Sequence, residues 1–72
     1  MTPAQCRAAR ALFDWNQDKL AAASQVSVVT VRNYENSKIT PHRATLDVMR
    51  RALEAAGVEF TNGDRPGVRL RG

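Results

Sequence analysis

Apolar residues recur three and four positions apart in four separate stretches of this chain, most of them introduced by a residue suited to capping a helix. Thr2-Pro3-Ala4-Gln5 opens the first, with threonine to cap, proline for the first helical position and glutamine at capping-box spacing. Cys6, Ala9, Leu12 and Phe13 then share one face, which leaves Arg7 and Arg10 on the other side. Asp14-Trp15-Asn16 interrupts the period, with Trp15 a packing residue at the corner. Asn16 caps a short second helix that ends near Ala23 and turns Leu20 and Ala21 inward. Ser24-Gln25-Val26-Ser27 leads to a third helix, in which Val31 and Tyr34 face inward beside Val26 and which closes at Asn36-Ser37. The valines of 26–31 favour a strand by composition, but their spacing and flanking caps are those of a helix. After the loop Lys38-Ile39-Thr40-Pro41, a fourth helix from about His42 to Ala56 aligns Leu46, Met49, Leu53 and Ala56. Gly57 stands where a left-handed C-cap belongs.

The period then changes to two. Val58-Glu59-Phe60 and Val68-Arg69-Leu70 alternate apolar and charged residues on either side of a connection that holds the turn signal Asn62-Gly63. Paired as a hairpin, they place Val58, Phe60, Val68 and Leu70 on one face and Glu59 beside Arg69 on the other. The expected fold is therefore all-α with four helices over residues 1–57, followed by a short C-terminal β-hairpin or extended tail over 58–72.

Composition narrows the chemistry. With 72 residues there is room for one small domain, and 43% hydrophobic with 25% charged residues is ordinary for a globular chain. One cysteine and one histidine suit neither a disulfide framework nor a structural zinc site. No apolar run approaches the ~20 residues of a membrane helix, and no signal pattern opens the chain, so a cytoplasmic protein without membrane, metal or cofactor is expected. Asp14 and Asp18 lack the histidine or metal context of hydrolysis, Cys6 reads as a small buried hydrophobe, and His42 has no ligand partners. An enzyme is not expected. Eleven Lys and Arg against seven Asp and Glu give a net charge of +4, which favours an anionic partner, with nucleic acid the first candidate.

The most specific signal lies at about 16–36, where two short helices joined by a tight turn describe a helix-turn-helix. Leu20, Val26 and Val31 form its wedge, and Ala21 is small where the helices approach. The run Gln17-x-x-Leu20-Ala21, Val26-Ser27, Thr30-Val31-Arg32, Tyr34-Glu35-Asn36, with Pro41 in the following loop, resembles the Xre/Cro-like (lambda-repressor-like) family of DNA-binding regulators. Two positions depart from the family pattern: Gln25 and Ser37 stand where glycine is frequent. At Gln25 a left-handed residue with a side chain costs ~1 kcal/mol.

The resemblance implies that the third helix enters the major groove of an operator in duplex DNA. Val28, Val29, Thr30, Arg32 and Asn33, which the core does not claim, are then the base-reading side chains. Val28 and Val29 suit thymine methyls, or one of them is partly core. Arg32 suits guanine or a phosphate, with a surface pair to Glu35 or a neighbouring acid as the alternative; Glu35 itself is suited to orienting a neighbouring arginine or capping the loop. Gln17 and Ser27, at helix starts, and Asn36, Lys38, Thr40 and Arg43, along the following loop, are the phosphate-binding candidates. A homodimer is expected, because one helix reads too few base pairs to single out a site. Met49, Leu53, Val58, Phe60, Val68 and Leu70 form its expected interface, against the alternative that they pack within the monomer and that dimerisation runs through helix four or occurs only on DNA. The chain length leaves no room for a ligand-sensing domain, which points to a repressor or autoregulator. An antitoxin-like regulator with a protein partner, or an interaction module that does not read DNA, are the other readings.

Overall fold

The computed structural model describes residues 1–61 and 65–71; the predicted Asn62-Gly63 turn lies outside the described residues. Four helices are followed by two strands: α1 Pro3–Leu12, α2 Gln17–Ser24, α3 Val28–Glu35, α4 Arg43–Ala56, β1 Val58–Thr61 and β2 Gly67–Leu70. The local signals act as expected. Thr2 and Gln5 complete a capping box, Asn16 caps α2 through Lys19 N at 2.8 Å, and Gly57 ends α4 with φ +117°. Phenylalanine 13 closes under that glycine, where an added Cβ would stand 3.7 Å from its ring.

Cys6, Ala9, Leu20, Ala21, Val31, Tyr34, Met49, Leu53 and Val58 form the buried core. Leu12, expected in it, is 39% exposed at the end of α1. The strands pair antiparallel with Val58 opposite Leu70, Glu59 opposite Arg69 and Phe60 opposite Val68, and the Glu59–Arg69 ion pair forms. Arg71 N adds a rung to Gly57 O at 2.7 Å.

The hairpin packs on its own monomer, against α1 and α4. Buried Gln5 spans the join: its Nε2 donates to Thr61 O at 3.0 Å and to Gly67 O at 3.1 Å, one carbonyl from each strand. The Arg50 guanidinium lies 5.7 Å from the Phe60 ring. This corrects the expected dimer surface. Met49, Leu53 and Val58 are spent inside the chain's own core, Phe60 and Val68 are half-buried against it, and only Leu70 stands clear at 53% exposed. The apolar pattern showed which faces needed cover; the hairpin of the same chain supplies it.

A second correction concerns α1. Arg10 does not face away from the core but reaches to Glu35, the last residue of α3. Its Nε and Nη2 each donate at 2.6 Å to separate carboxylate oxygens. Gln17 Nε2 at 3.1 Å and Cys6 Sγ at 3.2 Å donate to the same carboxylate, while Arg7 Nη1 donates to the Glu35 carbonyl at 2.5 Å. Arg10 Nη1 also reaches Trp15 O at 2.8 Å, which fixes the corner between α1 and α2. Glu35 thus orients a neighbouring arginine, as expected, but the arginine is Arg10 and not Arg32. At 2% exposed, the carboxylate is costly to bury unless every lone pair is used, and four donors use them.

Burial by itself pushes the Glu35 carboxyl up, but the hydrogen bonds from Arg10, Gln17 and Cys6 and the Arg10 charge outweigh it and hold the group below the ordinary carboxylate range. A folded value below the unfolded one gives stabilisation that is complete above ~4.3, the ordinary glutamate value, and is lost as pH falls through the folded value. Urea unfolding across pH 2–7 should show that loss in the wild type, and Glu35→Gln should flatten it. At pH 7 Glu35→Ala, which strands Arg10, should lower stability by about 3 kcal/mol, and a loss under about 0.5 kcal/mol would show that the network holds little.

Candidate nucleic-acid interface

The turn between α2 and α3 is made by Gln25, in the left-handed region at φ 58° and ψ 35°. Its N–H and that of Val26 return to Ala22 O and Ala21 O, which closes α2 and redirects the chain. Ser27 then caps α3, its Oγ accepting from Thr30 N at 3.1 Å and lying 3.0 Å from Thr30 Oγ1. Leu20, Ala21 and Val31 are buried between the two helices, with Val26 half-buried beside them. Tyr34 packs under α1 and donates its hydroxyl to Met1 O at 2.9 Å. With Val31, Tyr34 and Glu35 all held inward, the rotation of α3 about its axis is fixed.

That rotation sorts the expected base readers. Val29 is 54% exposed, whereas Val28 is half-buried against the core, which settles which of the two valines is partly core. Arg32 is exposed and belongs to no ion pair among the described residues, so its alternative as a partner of Glu35 falls away. Asn33 and Thr30 are half-buried; the Thr30 hydroxyl is engaged by Ser27.

Beyond α3 the chain turns again at Ser37, φ 59°, and Lys38 N returns to Asn33 O at 2.9 Å. Both positions flagged as departures from glycine are left-handed. Asp14, φ 56°, is a third left-handed residue, which the sequence marked only as a break in the period. Asn36, Lys38, Thr40 and Arg43 are all exposed. Gln17, at the start of α2, commits one amide hydrogen to Glu35 and keeps a second. Arg43 begins α4, the one helix here whose N-cap, His42, makes no side-chain cap bond.

Ser27, Thr30 and Asn33 come together with Gln25, Ile39, His42 and Thr45 along an open groove of about 400 Å³. Ile39 and Thr45 were not foreseen as part of this surface, since a loop carries no period and Thr45 sits between core positions of α4. Ile39 is 58% exposed, a large apolar side chain left in water beside the polar edge of α3.

Three ion pairs occur among the described residues: Arg10–Glu35, Arg50–Glu54 and Arg69–Glu59. Two of them lie on α4 and the hairpin. Lys19, Arg32, Lys38 and Arg43, on α2, α3, the following loop and the start of α4, hold no carboxylate. The surface around α3 therefore carries positive charge that no ion pair among the described residues compensates. Burial, then the Glu35 hydrogen bond, pushes the Cys6 thiol far above its ordinary value, which disfavours the thiolate. Among the described residues no group of three His, Cys, Asp or Glu side chains is placed to hold a metal, and no helix is long and apolar enough to cross a membrane.

The helix-turn-helix family matches residues 7–61, from α1 through β1. Among curated proteins none matches the chain significantly.

The left-handed Gln25 gives a direct test of the turn. Replacement by glycine should raise stability by about 0.5–1 kcal/mol in thermal or urea unfolding, because glycine adopts this conformation without the Cβ cost. An unchanged or lowered stability would mean that the Gln25 side chain makes a compensating contact.

Proposed function

The chain belongs to the Xre and lambda-repressor-like helix-turn-helix family of DNA-binding regulators, and from that premise we propose that it is a sequence-specific repressor or autoregulator that binds a palindromic operator as a dimer. The observation that carries this reading is the run of exposed, unpaired cations on and after α3. Arg32, Lys38 and Arg43, on and after α3, are all exposed and belong to no ion pair among the described residues, which leaves them for an anion.

In this reading α3 lies in the major groove. Val29 meets a thymine methyl, and Arg32 and Asn33 hydrogen-bond base edges, Arg32 to guanine and Asn33 to adenine. Val28 positions the helix rather than reading it, and Thr30 acts with Ser27 as a braced pair at the helix start. Lys38 and Arg43 contact phosphates, joined by the free amide hydrogen of Gln17 and by the exposed side chains of Asn36 and Thr40. One copy covers a half-site, and two half-sites ~10–10.5 bp apart, or a multiple, give the site its length. Occupancy of such an operator within a promoter is enough to block transcription.

Titrations of duplex DNA at several salt concentrations test these roles. The salt slope should be about −0.9 per phosphate neutralised, and the Lys38→Ala/Arg43→Ala double variant should weaken all sequences alike and flatten the slope by nearly two phosphates. Arg32→Ala and Asn33→Ala should each lose roughly 1–3 kcal/mol of discrimination at one base pair. Val29→Ala should lose affinity for thymine but not for deoxyuridine at its contact. A uniform loss from all three would leave α3 as a positioning element only, and an unchanged salt slope in the double variant would remove Lys38 and Arg43 from the interface.

A further inference from the structure

We infer that the outer stripe of α4 is the surface on which a second copy of this chain docks, antiparallel to the first, with Asp47 of each copy paired to Arg51 of the other. The purpose of such a contact rests on the two-half-site reading above; its geometry does not. Helix α4 buries Met49 and Leu53 and turns Ala44, Asp47, Val48, Arg51 and Ala55 to solvent on the opposite side. These five residues fall within roughly 100° of the helix circumference. Val48 is 41% exposed among them, and it does not line the groove beside α3.

Asp47 and Arg51 stand one turn apart, at a spacing that permits an ion pair, yet neither has a partner among the described residues. On the same helix Arg50 does take Glu54, four residues on. An antiparallel copy whose residue 51 lies opposite residue 47 satisfies both charges twice, once on each side of the two-fold axis. The same alignment brings Ala44 within one residue, ~1.5 Å of rise, of level with the copy's Ala55, so small residues face small residues at both ends and the helix axes can approach to ~8 Å. Val48 then packs on the aliphatic stem of the copy's Arg51. The remaining exposed apolar residues lack this self-complementarity. Leu70 follows Arg69, which is already paired to Glu59, and Leu12 stands beside Ala8 and Ala11, where the neighbouring Arg7 is committed to the Glu35 carbonyl.

Helix α4 is 14 residues long, or ~21 Å, so this contact is smaller than a standard stable interface. The dimer is therefore weak in free solution and completed when two copies share one duplex.

Sedimentation equilibrium of the full chain, without DNA and up to millimolar concentration, tests the contact. The wild type should dimerise reversibly. Asp47→Arg and Arg51→Asp should each weaken self-association by ~tenfold or more, and the double charge swap should restore it. Both positions are exposed, so the fold should persist, which far-UV circular dichroism checks for each variant. A wild type that stays monomeric throughout, single variants that dimerise normally, or a swap that fails to rescue would each overturn the inference. Loss of dimer in Leu70→Ser, with the charge variants unaffected, would overturn it in favour of the hairpin. Titration of a single half-site duplex keeps the two readings apart: monomeric variants that still bind it show failure of the contact alone. Dimerisation with charge-swap rescue in a chain that binds no duplex would support the contact and overturn the DNA reading instead.

Discussion

The carboxylate of Glu35 is the constraint on which the arrangement of the first three helices depends. A carboxylate this deeply buried is tolerated only with its lone pairs occupied, and the occupants come from different parts of the chain: Arg10 and Cys6 from α1, Gln17 from the start of α2. Because Glu35 is the last residue of α3, satisfying it holds one end of that helix against α1 while Val31 and the Tyr34 hydroxyl hold its inner face. Arg10 extends the same network to the backbone at Trp15, so the α1–α2 corner cannot move independently of α3. A small chain buries a limited apolar area, and here a saturated ionic cluster supplies orientation that the core alone would supply less sharply.

The consequence is a division of labour around α3. Its inward residues are committed to the core and the ion network, its first turn is braced by Ser27 and Thr30, and Val29 and Arg32 are left outward. The hairpin serves the other end of the molecule. By covering α1 and α4, and through the two carbonyl bonds made by Gln5, it completes the monomer's own core, and its outer face carries the Glu59–Arg69 pair. Cations without an ion pair among the described residues remain around the helix-turn-helix, at Lys19, Arg32, Lys38 and Arg43.

Much of this was legible in the sequence, because caps and periods are local. Thr2, Asn16, Ser27 and Gly57 mark boundaries that the structure keeps, the alternation at 58–60 and 68–70 matches the strand register, and Gln25 could be identified as left-handed because the family it resembles often has glycine there. The ion network was not legible. Arg10 and Glu35 are separated by 25 residues, and no local rule says that an arginine at the edge of an apolar face will bend inward to a glutamate on another helix. Gln5 carried a capping signal that fully explained it, which masked its second role as the tie to both strands. The apolar face of Met49, Leu53 and Val58 was evident too, but an amphipathic pattern shows only that a face needs cover, not whether the same chain or another provides it. The loop residue Ile39, with no period around it, gave no signal at all.

The central claim is that the surface organised by Glu35 around α3 is the one that meets DNA. Amide chemical-shift mapping of the isotope-labelled chain during titration with a duplex at low salt tests it most directly, since even binding without sequence preference uses the phosphate contacts. Shifts should concentrate at Gln17, at 27–33 and at 38–43, with the amides of β1 and β2 unmoved. Shifts centred on the hairpin, with α3 silent, would contradict the account.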